Sequence, residues 1–326
     1  MQDNSAAQAV SLIERLKYRP APQRLARRRR EITPSQEAVL RTMLATHQFR
    51  EPVGYLDTAE GRRDMEDHVW RRLHVDRRTV VGWLDGLTRL DGARVVEIGC
   101  GTGASTVALA EQGARVVGYD IDAGALAVAD KRRELFNLDS IRLNHASAVE
   151  IDGAELSDAD FVVFFASLEH MTLDERIAAL SRVWSSLKTG AFLVVIDAPN
   201  RLWWFDSHTS SLPFYGWLPD DLAVLYARFS PRAPFNRQIA APVDAASILA
   251  LARVGRGVSY HEFELAIGDL SGLRVSSLNG YNRRNPLRMA KWLLREVVFE
   301  RMLRSRGPNL PAEFYEPQLS FAIQKP

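Results

Sequence analysis

The feature that most constrains this chain is the run V-V-E-I-G-C-G-T-G at 95–103, where an apolar segment passes into a glycine-rich turn. An apolar run of this kind is typical of a buried parallel strand. Gly99, Gly101 and Gly103 omit the side chains that would keep a ligand away from the backbone. A helix is predicted over 104–112, and the N–H groups of its first turn would face that ligand. The pattern therefore predicts a strand-turn-helix unit that binds a nucleotide.

Two acidic residues indicate which nucleotide this unit takes. A dinucleotide-binding turn has the spacing G-x-G-x-x-G and holds a pyrophosphate, whereas here the spacing is G-x-G-x-G and Glu97 precedes the turn. A carboxylate at that place would repel phosphates and attract an ammonium or a sulfonium group. Asp120 ends the second predicted strand, where its carboxylate can accept hydrogen bonds from both hydroxyls of a ribose. An adenosine that carries a positive amino-acid tail and no phosphate describes S-adenosylmethionine.

Three motifs in a fixed order carry a family resemblance. V-V-E-I-G-C-G-T-G-A-S-T is followed by V-V-G-Y-D-I-D and then by A-D-F-V-V-F-F-A-S-L-E-H-M at 159–171. Together they resemble the class I S-adenosylmethionine-dependent methyltransferases, among them sugar and small-molecule O-methyltransferases, over roughly 80–197. The resemblance implies S-adenosyl-L-methionine as the cofactor and S-adenosyl-L-homocysteine as its product.

The resemblance also assigns residues to the cofactor. Glu97 and the three glycines would line its methionine portion, Asp120 its ribose and Ile121 one face of its adenine. Many family members have an acidic residue near the adenine amino group, where this chain has H-A-S-A at 145–148. Ser147 or a backbone group would therefore serve there. The other positions assigned to the cofactor pocket are Ala148, Ala166 and Cys100, which we interpret as a small turn residue rather than a nucleophile.

Strand-like and helical segments alternate along the rest of the chain. Strands are predicted at 115–119, 141–144, 161–166, 192–196, 273–278 and 319–324, with helices over 125–136 and 173–187. Strands that alternate with helices form a parallel sheet. We therefore expect an α/β, Rossmann-like class I methyltransferase fold with a seven-stranded, mostly parallel sheet. Its last strand would form the antiparallel edge that the resemblance implies.

The flanking segments are predicted to be additions to this core. Residues 1–78 are interpreted as a helical N-terminal extension that caps the core, and 79–326 as the methyltransferase core. Within the core, 198–257 is predicted to be a lid insertion and 282–313 a helical insertion. The second contains a basic amphipathic helix at 283–306, which we expect to pack on the core or on a second subunit rather than on a membrane. The sequence is compatible with both a monomer and a homo-oligomer.

Composition excludes several classes of protein. With 326 residues and 46% apolar content the chain can bury a full core, while a formal net charge of +2 is too small to argue for nucleic-acid binding. The basic run at 24–30 is interpreted as a solvated helix face or as a partner for the domain's own carboxylates. A single cysteine excludes an intramolecular disulfide, and the first residues lack a leader pattern. We expect an unprocessed cytoplasmic protein that binds neither nucleic acid nor membranes.

The segment after the fifth strand carries the information about the acceptor. Loops at the carboxyl ends of parallel strands are where open α/β sheets bind ligands, and this loop packs aromatic residues between prolines at 198–219. Aromatic faces beside polar groups suit a saccharide, whose C–H faces stack while its hydroxyls are hydrogen-bonded. The alternative is that these residues form a small core of the lid itself. The candidate substrate residues are Trp203, Trp204, Tyr215 and Trp217.

An alcohol acceptor also needs a base for its proton. His208 in the aromatic loop and His170 in L-E-H-M stand where the fold places the acceptor. Asp206 or Glu169 could orient His208. A Mg²⁺ ion is the other way to acidify a hydroxyl, with Asp197, Asp206 and Glu169 as candidate oxygen ligands, although no tight ligand spacing supports it.

The function predicted from these features is S-adenosylmethionine-dependent methylation of a hydroxyl on a saccharide or a glycosylated small molecule, with His208 or His170 as base. Two alternatives stay open. One is N- or C-methylation of a nonsugar metabolite or lipid, which needs a base less and would survive the loss of both histidines. The other is a catalytically inactive cofactor-binding module, which would bind the cofactor tightly without turnover.

Overall fold

The strands form a single mixed sheet. The computed structural model describes residues 22–50, 52–232, 235, 239, 242–282, 298–305 and 309–326. The strands are β1 (Arg94–Ile98), β2 (Arg115–Asp120), β3 (Ile141–His145), β4 (Phe161–Phe165), β5 (Phe192–Pro199), β6 (Val275–Ser277) and β7 (Gln318–Gln324). They form a seven-stranded sheet in the order β3-β2-β1-β4-β5-β7-β6. This confirms the predicted Rossmann-like class I methyltransferase fold.

Most strand pairs are parallel, as the alternation of strands and helices predicts. β1 with β2, β2 with β3 and β4 with β5 run parallel, and β5 with β7 runs antiparallel. The predicted antiparallel strand is therefore present. It is not the edge strand, however, because β6 lies outside it in the strand order. All predicted strands agree with the observed ones to within a few residues at their ends.

Helices precede, separate and follow the strands. In chain order the α-helices are α1 (Gln23–Ala26), α2 (Pro34–Met43), α3 (Ala59–Glu66), α4 (Arg72–Leu87), α5 (Ala104–Ala110), α6 (Ala123–Leu135), α7 (Gly153–Asp158), α8 (Leu173–Ser186), α9 (Asp220–Ala227), α10 (Ala245–Val254), α11 (Tyr260–Ile267), α12 (Leu278–Asn282) and α13 (298–305). Two π-helices, Leu44–Gln48 and Asp67–Arg71, follow α2 and α3 directly. Most of the described residues before β1 are thus helical.

The chain divides into two compact units. The first is Met1–Ser147 with Ser277–Val297, and the second is Ala148–Ser276 with Val298–Pro326. The first unit contains β1 to β3 and, between its helices, an ion pair of Arg77 with Glu111 at 2.5 Å whose two side chains are fully buried. A buried pair of this kind is sensitive to the loss of either partner, because the other charge would remain uncompensated.

The basic run near the N-terminus pairs with acidic groups of its own unit. Arg24 forms an ion pair with Asp85, and Arg28 forms one with Asp91 at 2.7 Å. Asp85 is buried and also accepts a hydrogen bond from the Leu90 N–H at 3.1 Å. Of the two interpretations of this run, the structure supports internal pairing.

The second unit has a hydrophobic cluster of its own beneath the aromatic loop. The cluster consists of Leu212, Tyr215, Ala223, Val224, Ala227, Phe235, Ile239 and Leu251. Three helix starts among the described residues of this unit are fixed by reciprocal capping boxes, at Thr172 with Glu175 before α8, at Asp244 with Ser247 before α10 and at Ser259 with Glu262 before α11. The cap at Thr172 fixes the chain just after the L-E-H sequence.

Most of the amphipathic helix predicted at 283–306 lies outside the described residues. Of that segment the structure describes 298–305, which are helical. Within the part of the chain that is described, no helix is both long enough and apolar enough to span a bilayer.

Candidate active site

The glycine-rich turn follows β1 and is fixed to the end of β2. Gly99, Gly101 and Gly103 have φ angles of +81°, +51° and +79°, in the left-handed region that glycine adopts at little cost. The Gly99 N–H donates to the Tyr119 carbonyl oxygen at 2.8 Å. A Cβ at Gly103 would lie 3.0 Å from the Cβ of Ala129 in α6, whereas a Cβ at Gly101 would meet no atom within 4 Å. The turn is therefore pressed against α6 at one end and open at its centre.

Glu97 is fully buried at the end of β1. Its carboxylate accepts a hydrogen bond of 2.6 Å from the Thr106 hydroxyl and another from the Ser105 hydroxyl, both in α5. Burial raises the pKa of Glu97 to about 7, against the lowering effect of these two hydroxyl donors. The negative charge that the sequence argument places before the turn therefore depends on pH near neutrality.

Asp120 ties the turn to the carboxyl end of β2. Its Oδ2 accepts a hydrogen bond from the Gly101 N–H at 2.8 Å, and its Oδ1 accepts one from the Asp122 N–H at 2.9 Å. Each carboxylate oxygen keeps a second lone pair, so the group can still accept from ribose hydroxyls. Next to it the Ile121 side chain is 62% exposed, and the His145 Nε2 lies 2.9 Å from the Ile121 carbonyl oxygen. A bare turn, an accessible carboxylate and an open apolar side chain together fit an adenosine moiety.

A buried arginine, which the sequence argument missed, links this turn to the N-terminal helices. Arg132 in α6 is fully buried, and its Nε donates to the Thr102 carbonyl oxygen at 2.9 Å. Its Nη2 donates to the His68 carbonyl oxygen at 2.6 Å, and the His68 Nδ1 lies 3.2 Å from the Thr102 hydroxyl. Burial lowers the pKa of His68 to about 3, so the ring is neutral. The sequence signal was weak because Arg132 stands in a K-R-R run of ordinary surface composition.

The remaining cofactor candidates occupy strand ends and turns. Cys100 is buried, and burial raises the pKa of its thiol, which suits a small turn residue better than a nucleophile. Ala166 follows β4 with a φ of +43°, and its N–H donates to the Ile196 carbonyl oxygen at 2.9 Å. Ala148 is buried at the start of the 3-10 turn Ala148–Glu150, and Ser147 is half-buried. Their contact with the cofactor stays a prediction.

Three titratable side chains converge in the second unit. Glu169 and His170 lie in the 3-10 turn Leu168–His170 after β4, and His208 lies in the aromatic loop. The Nε2 atoms of His170 and His208 are 3.9 and 3.8 Å from the Glu169 Oε1. The Glu169 side chain is fully buried, whereas those of His170 and His208 are 43% and 30% exposed. We call these three residues the acid-base cluster.

The protonation of this cluster follows from its burial. Burial raises the pKa of Glu169 to about 8, although its own backbone N–H and then Arg176 lower it, and Asp197 raises it further. Burial, and then the neighbouring His170, lower the pKa of His208. A protonated Glu169 and a neutral His208 therefore predominate at neutral pH. A neutral imidazole is the form that can accept a proton.

Gly255 allows the two imidazoles of the cluster to approach one another. Its φ is +132°, and a Cβ there would lie 3.0 Å from the Thr209 Oγ1. The same Cβ would lie 3.6 Å from the Cε1 of His170 and 3.7 Å from the Cε1 of His208. A methyl group at this position would therefore touch both rings at ordinary van der Waals distance and press on the Thr209 hydroxyl, whose oxygen lies 3.1 Å from the His208 Nδ1. No sequence pattern pointed to Gly255, because it lies far along the chain from both histidines.

Asp206 is held by the backbone of the loop. Its Oδ1 accepts from the N–H groups of His208 and Thr209 at 3.1 and 3.0 Å, and its Oδ2 accepts from the N–H and the hydroxyl of Ser210, both at 2.8 Å. Its carboxylate thus caps a tight turn. Of the two carboxylates considered for orienting His208, Glu169 is the one with an oxygen within 4 Å of the imidazole.

The four aromatic candidates differ in exposure. Trp203 is buried, and its indole N–H donates to the Tyr315 carbonyl oxygen at 2.9 Å. Tyr215 is buried in the hydrophobic cluster of the second unit, so part of the loop does form a core of its own. Trp204 is half-buried and Trp217 is exposed.

A cavity of about 370 Å³ lies next to the buried members of this loop. Its lining includes Trp203, Phe205, Ser207, Tyr215 and Gly255. Because Gly255 lines the cavity and also lies against the two imidazoles, the cavity and the acid-base cluster are neighbours within the second unit.

The acidic residues considered for a magnesium ion are not grouped. Among the residues that the structure describes, no group of three or more His, Cys, Asp or Glu side chains is placed to hold a metal ion. Asp197, Asp206 and Glu169 all belong to the described part of the chain.

Comparison with known proteins identifies the family of the glycine-turn region. The family model for a methyltransferase domain matches residues 95–190, from β1 to just before β5. Residues 95–190 are therefore a methyltransferase domain. The cofactor of this methyltransferase domain is S-adenosylmethionine.

Curated relatives match only part of this chain. Cypemycin N-terminal methyltransferase from Streptomyces sp is 38% identical over 128 residues, which cover 36% of this chain and 48% of that protein. Ubiquinone biosynthesis O-methyltransferase from Cupriavidus pinatubonensis is 36% identical over 123 residues, 35% of this chain and 48% of that protein. The chain therefore spans about half the length of the curated relatives it matches.

A solved structure is also similar to the methyltransferase domain. Magnesium protoporphyrin IX methyltransferase from Synechocystis PCC 6803 with bound SAH matches 51% of this chain and 74% of that chain, at 22% identity and a TM-score of 0.38.

Proposed function

We propose that the protein transfers a methyl group from S-adenosylmethionine to a hydroxyl of a saccharide or a glycosylated small molecule. The observation that carries this proposal is the convergence of His170 and His208 on Glu169, beside an aromatic cavity. An alcohol loses a proton when it is methylated, so its enzyme benefits from a placed base. Two imidazoles next to a small-molecule cavity meet that need.

The cofactor would be held by the glycine-rich turn and its neighbours. When bound, S-adenosylmethionine supplies an electrophilic methyl group on a positive sulfur. Asp120 would accept hydrogen bonds from the ribose hydroxyls, and the open side chain of Ile121 would cover the adenine. An ionised Glu97 adds a negative charge that favours a cationic ligand over a phosphorylated one.

The cavity in the second unit would hold the acceptor. Trp203 and Phe205 offer aromatic faces there, which suit the C–H faces of a sugar ring. The Tyr215 hydroxyl is buried and has no hydrogen-bond partner among the described residues. A buried hydroxyl of this kind would gain from an acceptor group that supplies a partner. Trp204 and Trp217 would extend the stacking surface of the loop.

His208 would act as the base, with His170 as its alternative. The lowered pKa of His208, caused first by its burial, keeps the imidazole neutral and able to take the proton of the acceptor hydroxyl. Gly255 joins the cavity lining to both rings, so a ligand in the cavity lies beside the cluster. Exclusion of water by the buried aromatic residues would strengthen the polar contacts of the reaction.

The names of the curated relatives bear on the acceptor atom. A ubiquinone biosynthesis O-methyltransferase supports a hydroxyl acceptor, while an N-terminal methyltransferase supports an amine. The acid-base cluster favours the hydroxyl, because an amine acceptor can be used in its free, unprotonated form.

The proposal can be tested with methyl-labelled S-adenosylmethionine and matched acceptors. The purified protein is incubated with glycosides, their aglycones, the same glycosides with blocked hydroxyls, and a set of amines. Label is expected in glycosides with free hydroxyls and absent from the blocked ones. Transfer to amines or to carbon alone would replace the proposal with the N- or C-methylation alternative. Tight cofactor binding without transfer to any acceptor would indicate an inactive binding module.

A further inference from the structure

Glu169 has an unusual position for an acidic residue. Its side chain is fully buried, and within the described part of the chain neither carboxylate oxygen accepts a hydrogen bond from another residue. Burying a carboxyl group without partners costs free energy. The groups nearest to its Oε1 that can exchange a proton are the Nε2 atoms of His170 and His208, at 3.9 and 3.8 Å.

The backbone carbonyl oxygen of Glu169 is held by two donors. The buried Arg176 donates from Nη2 to the Glu169 carbonyl oxygen at 3.1 Å and to the Arg256 carbonyl oxygen at 2.8 Å. The Arg256 N–H donates to the same Glu169 carbonyl oxygen at 2.8 Å. These bonds hold the turn in place and leave the carboxyl group to the two imidazoles.

A hydrogen bond at the Nδ1 of His170 determines the tautomer of its ring. In that tautomer the Nε2, which faces Glu169, has a free lone pair. The Nδ1 of His170 lies 2.9 Å from the Arg253 carbonyl oxygen. A carbonyl oxygen only accepts, so Nδ1 carries the hydrogen. In the neutral ring Nε2 is then the acceptor, and it can receive a proton from a protonated Glu169.

Charged groups from several packed elements surround the acid-base cluster. Arg176 and Asp197 act on Glu169, Asp206 and Arg232 act on His208, and Arg253 with its partner Glu175 lies at His170. The cluster is therefore flanked by charges of both signs.

We propose that Glu169 carries a proton between His208 and His170, so that the three side chains act as one proton-transfer unit during methylation. This inference rests on the proposed function, because the acceptor hydroxyl is the source of the proton. Glu169 itself is a relay and positioning residue and does not touch the acceptor. His170 is the outlet, because it is the more exposed of the two imidazoles.

The transfer balances in protons and electrons. The acceptor oxygen bonds to the methyl carbon while the methyl-sulfur bond breaks with its electron pair left on sulfur, and the hydroxyl proton passes to the His208 Nε2. Protonated Glu169 gives its proton to the His170 Nε2 and receives the proton from His208. His170 releases one proton to solvent, which restores the starting state. The gaps of 3.9 and 3.8 Å must shorten to about 3 Å for these steps, as hydrogen bonds of catalytic groups commonly do when the substrate is bound.

An NMR pH titration of the histidine ring signals, without any acceptor, tests directly whether His170, His208 and Glu169 titrate together. His170→Ala and His208→Ala spectra assign the two signals. In the wild-type protein both curves are expected to share an inflection from Glu169. This inflection should vanish from both curves in Glu169→Gln and persist in Asp174→Asn, which alters an exposed carboxylate in the next helix. If the two histidine titration curves of the wild type share no inflection, the inference is overturned. This measurement needs only the wild-type spectra and their assignments, so it decides even if Glu169→Gln fails to fold.

Turnover separates this inference from the proposed function. Glu169→Gln should lower kcat at least about tenfold with the KM for S-adenosylmethionine unchanged, as expected for a lost proton-transfer step. In His170→Ala, added imidazole should restore a large part of the rate, because it replaces the outlet. An active O-methyltransferase whose Glu169→Gln variant keeps its kcat overturns the relay. A shared inflection in a protein that methylates no hydroxyl supports the coupled cluster and overturns only the proposed acceptor.

Discussion

The Nε of Arg132 donates a hydrogen bond of 2.9 Å to the carbonyl oxygen of Thr102, at the centre of the glycine-rich turn. The other end of the same guanidinium binds the His68 carbonyl oxygen at 2.6 Å, in a π-helix of the N-terminal region. One buried side chain therefore connects the glycine-rich turn with the helices that precede the first strand.

Replacing Arg132 should disturb both the fold and cofactor binding. Arg132→Met would leave the Thr102 and His68 carbonyl groups buried without this donor, so the free energy of unfolding should fall by about 3 kcal/mol. Affinity for S-adenosylmethionine, measured by calorimetry, should fall with it because the turn loses its support. Arg133→Met is the matched control, since Arg133 pairs with Asp130 near the surface at 2.7 Å. Equal affinities in the two variants would contradict the link.

Removing the carboxylate of Asp120 should weaken cofactor binding. Asp120→Ala should cost roughly 1–3 kcal/mol of binding free energy through the lost ribose hydrogen bonds. Asp122→Ala is the control, because Asp122 caps α6 through the Gly124 N–H at 2.7 Å and should affect stability rather than affinity. Unchanged affinity of the Asp120 variant in calorimetry would remove this residue from the cofactor site.

His208 should matter for turnover and not for cofactor affinity. His208→Ala should lower kcat by roughly a hundredfold or more, the range of a lost general base, while the Kd of S-adenosylmethionine stays the same. His170→Ala should have a smaller effect, since that ring is the outlet. His261→Ala is the control, because His261 is an exposed imidazole in α11. A normal rate in the His208 variant would exclude it as the base.

Gly255→Ala should reduce activity by more than its loss of stability accounts for. Gly255→Ala forces a non-glycine residue to a φ of +132°, at a cost of about 1–3 kcal/mol, and presses on the Thr209 hydroxyl that contacts the His208 imidazole. Gly268→Ala meets a comparable backbone strain at a φ of +89° with no atom within 4 Å of the new Cβ. Both variants should lose stability, and only Gly255→Ala should also lose about tenfold in kcat. Equal kcat values would show that the two rings tolerate the contact.

The raised pKa of Glu97 predicts a pH-dependent preference for the charged cofactor. Below its pKa of about 7, raised by burial, Glu97 is neutral and offers no attraction to a positive sulfur. S-adenosylmethionine should therefore gain affinity relative to S-adenosylhomocysteine, which lacks that charge, as pH rises through 7. We expect a change of about fivefold, or about 1 kcal/mol. Glu97→Gln should make the affinity ratio independent of pH across this window, and a pH-independent ratio in the wild type would contradict the idea.

The same raised pKa has the opposite effect on the stability of the free protein. A carboxyl group whose folded pKa is raised from 4.5 to about 7 favours the folded state at low pH, and that contribution disappears as pH rises through 7. Unfolding by denaturant at a series of pH values should therefore show the wild type losing stability relative to Glu97→Gln as pH rises.

The sequence predicted the sheet because its strands are apolar runs separated by amphipathic helices. The glycine-rich turn and Asp120 were predictable for the same reason, since their spacing is local to one strand-turn-helix unit. His170 and His208 were found as separate candidates, and only the fold shows that both approach one oxygen of Glu169.

What the sequence could not supply were contacts between distant segments. The charged residues around Arg132 in the sequence indicate a surface position. In the fold, however, Arg132 is buried against backbone carbonyl groups of two other segments. Asp206 seemed suited to orient an imidazole, but short-range backbone N–H groups within its own turn bind its carboxylate instead. Local patterns reveal periodicity and turns, while such partnerships depend on which loops meet.

The approach of Gly103 to Ala129 has a consequence for how this domain can change. A single methyl group added at 103 would stand 3.0 Å from the one already present at 129, so the two positions share one small volume. A side chain that enlarges either of them requires α6 and the glycine-rich turn to move apart by a few tenths of an ångström. Engineers who wish to alter donor preference should therefore treat these sites as a pair and vary them together.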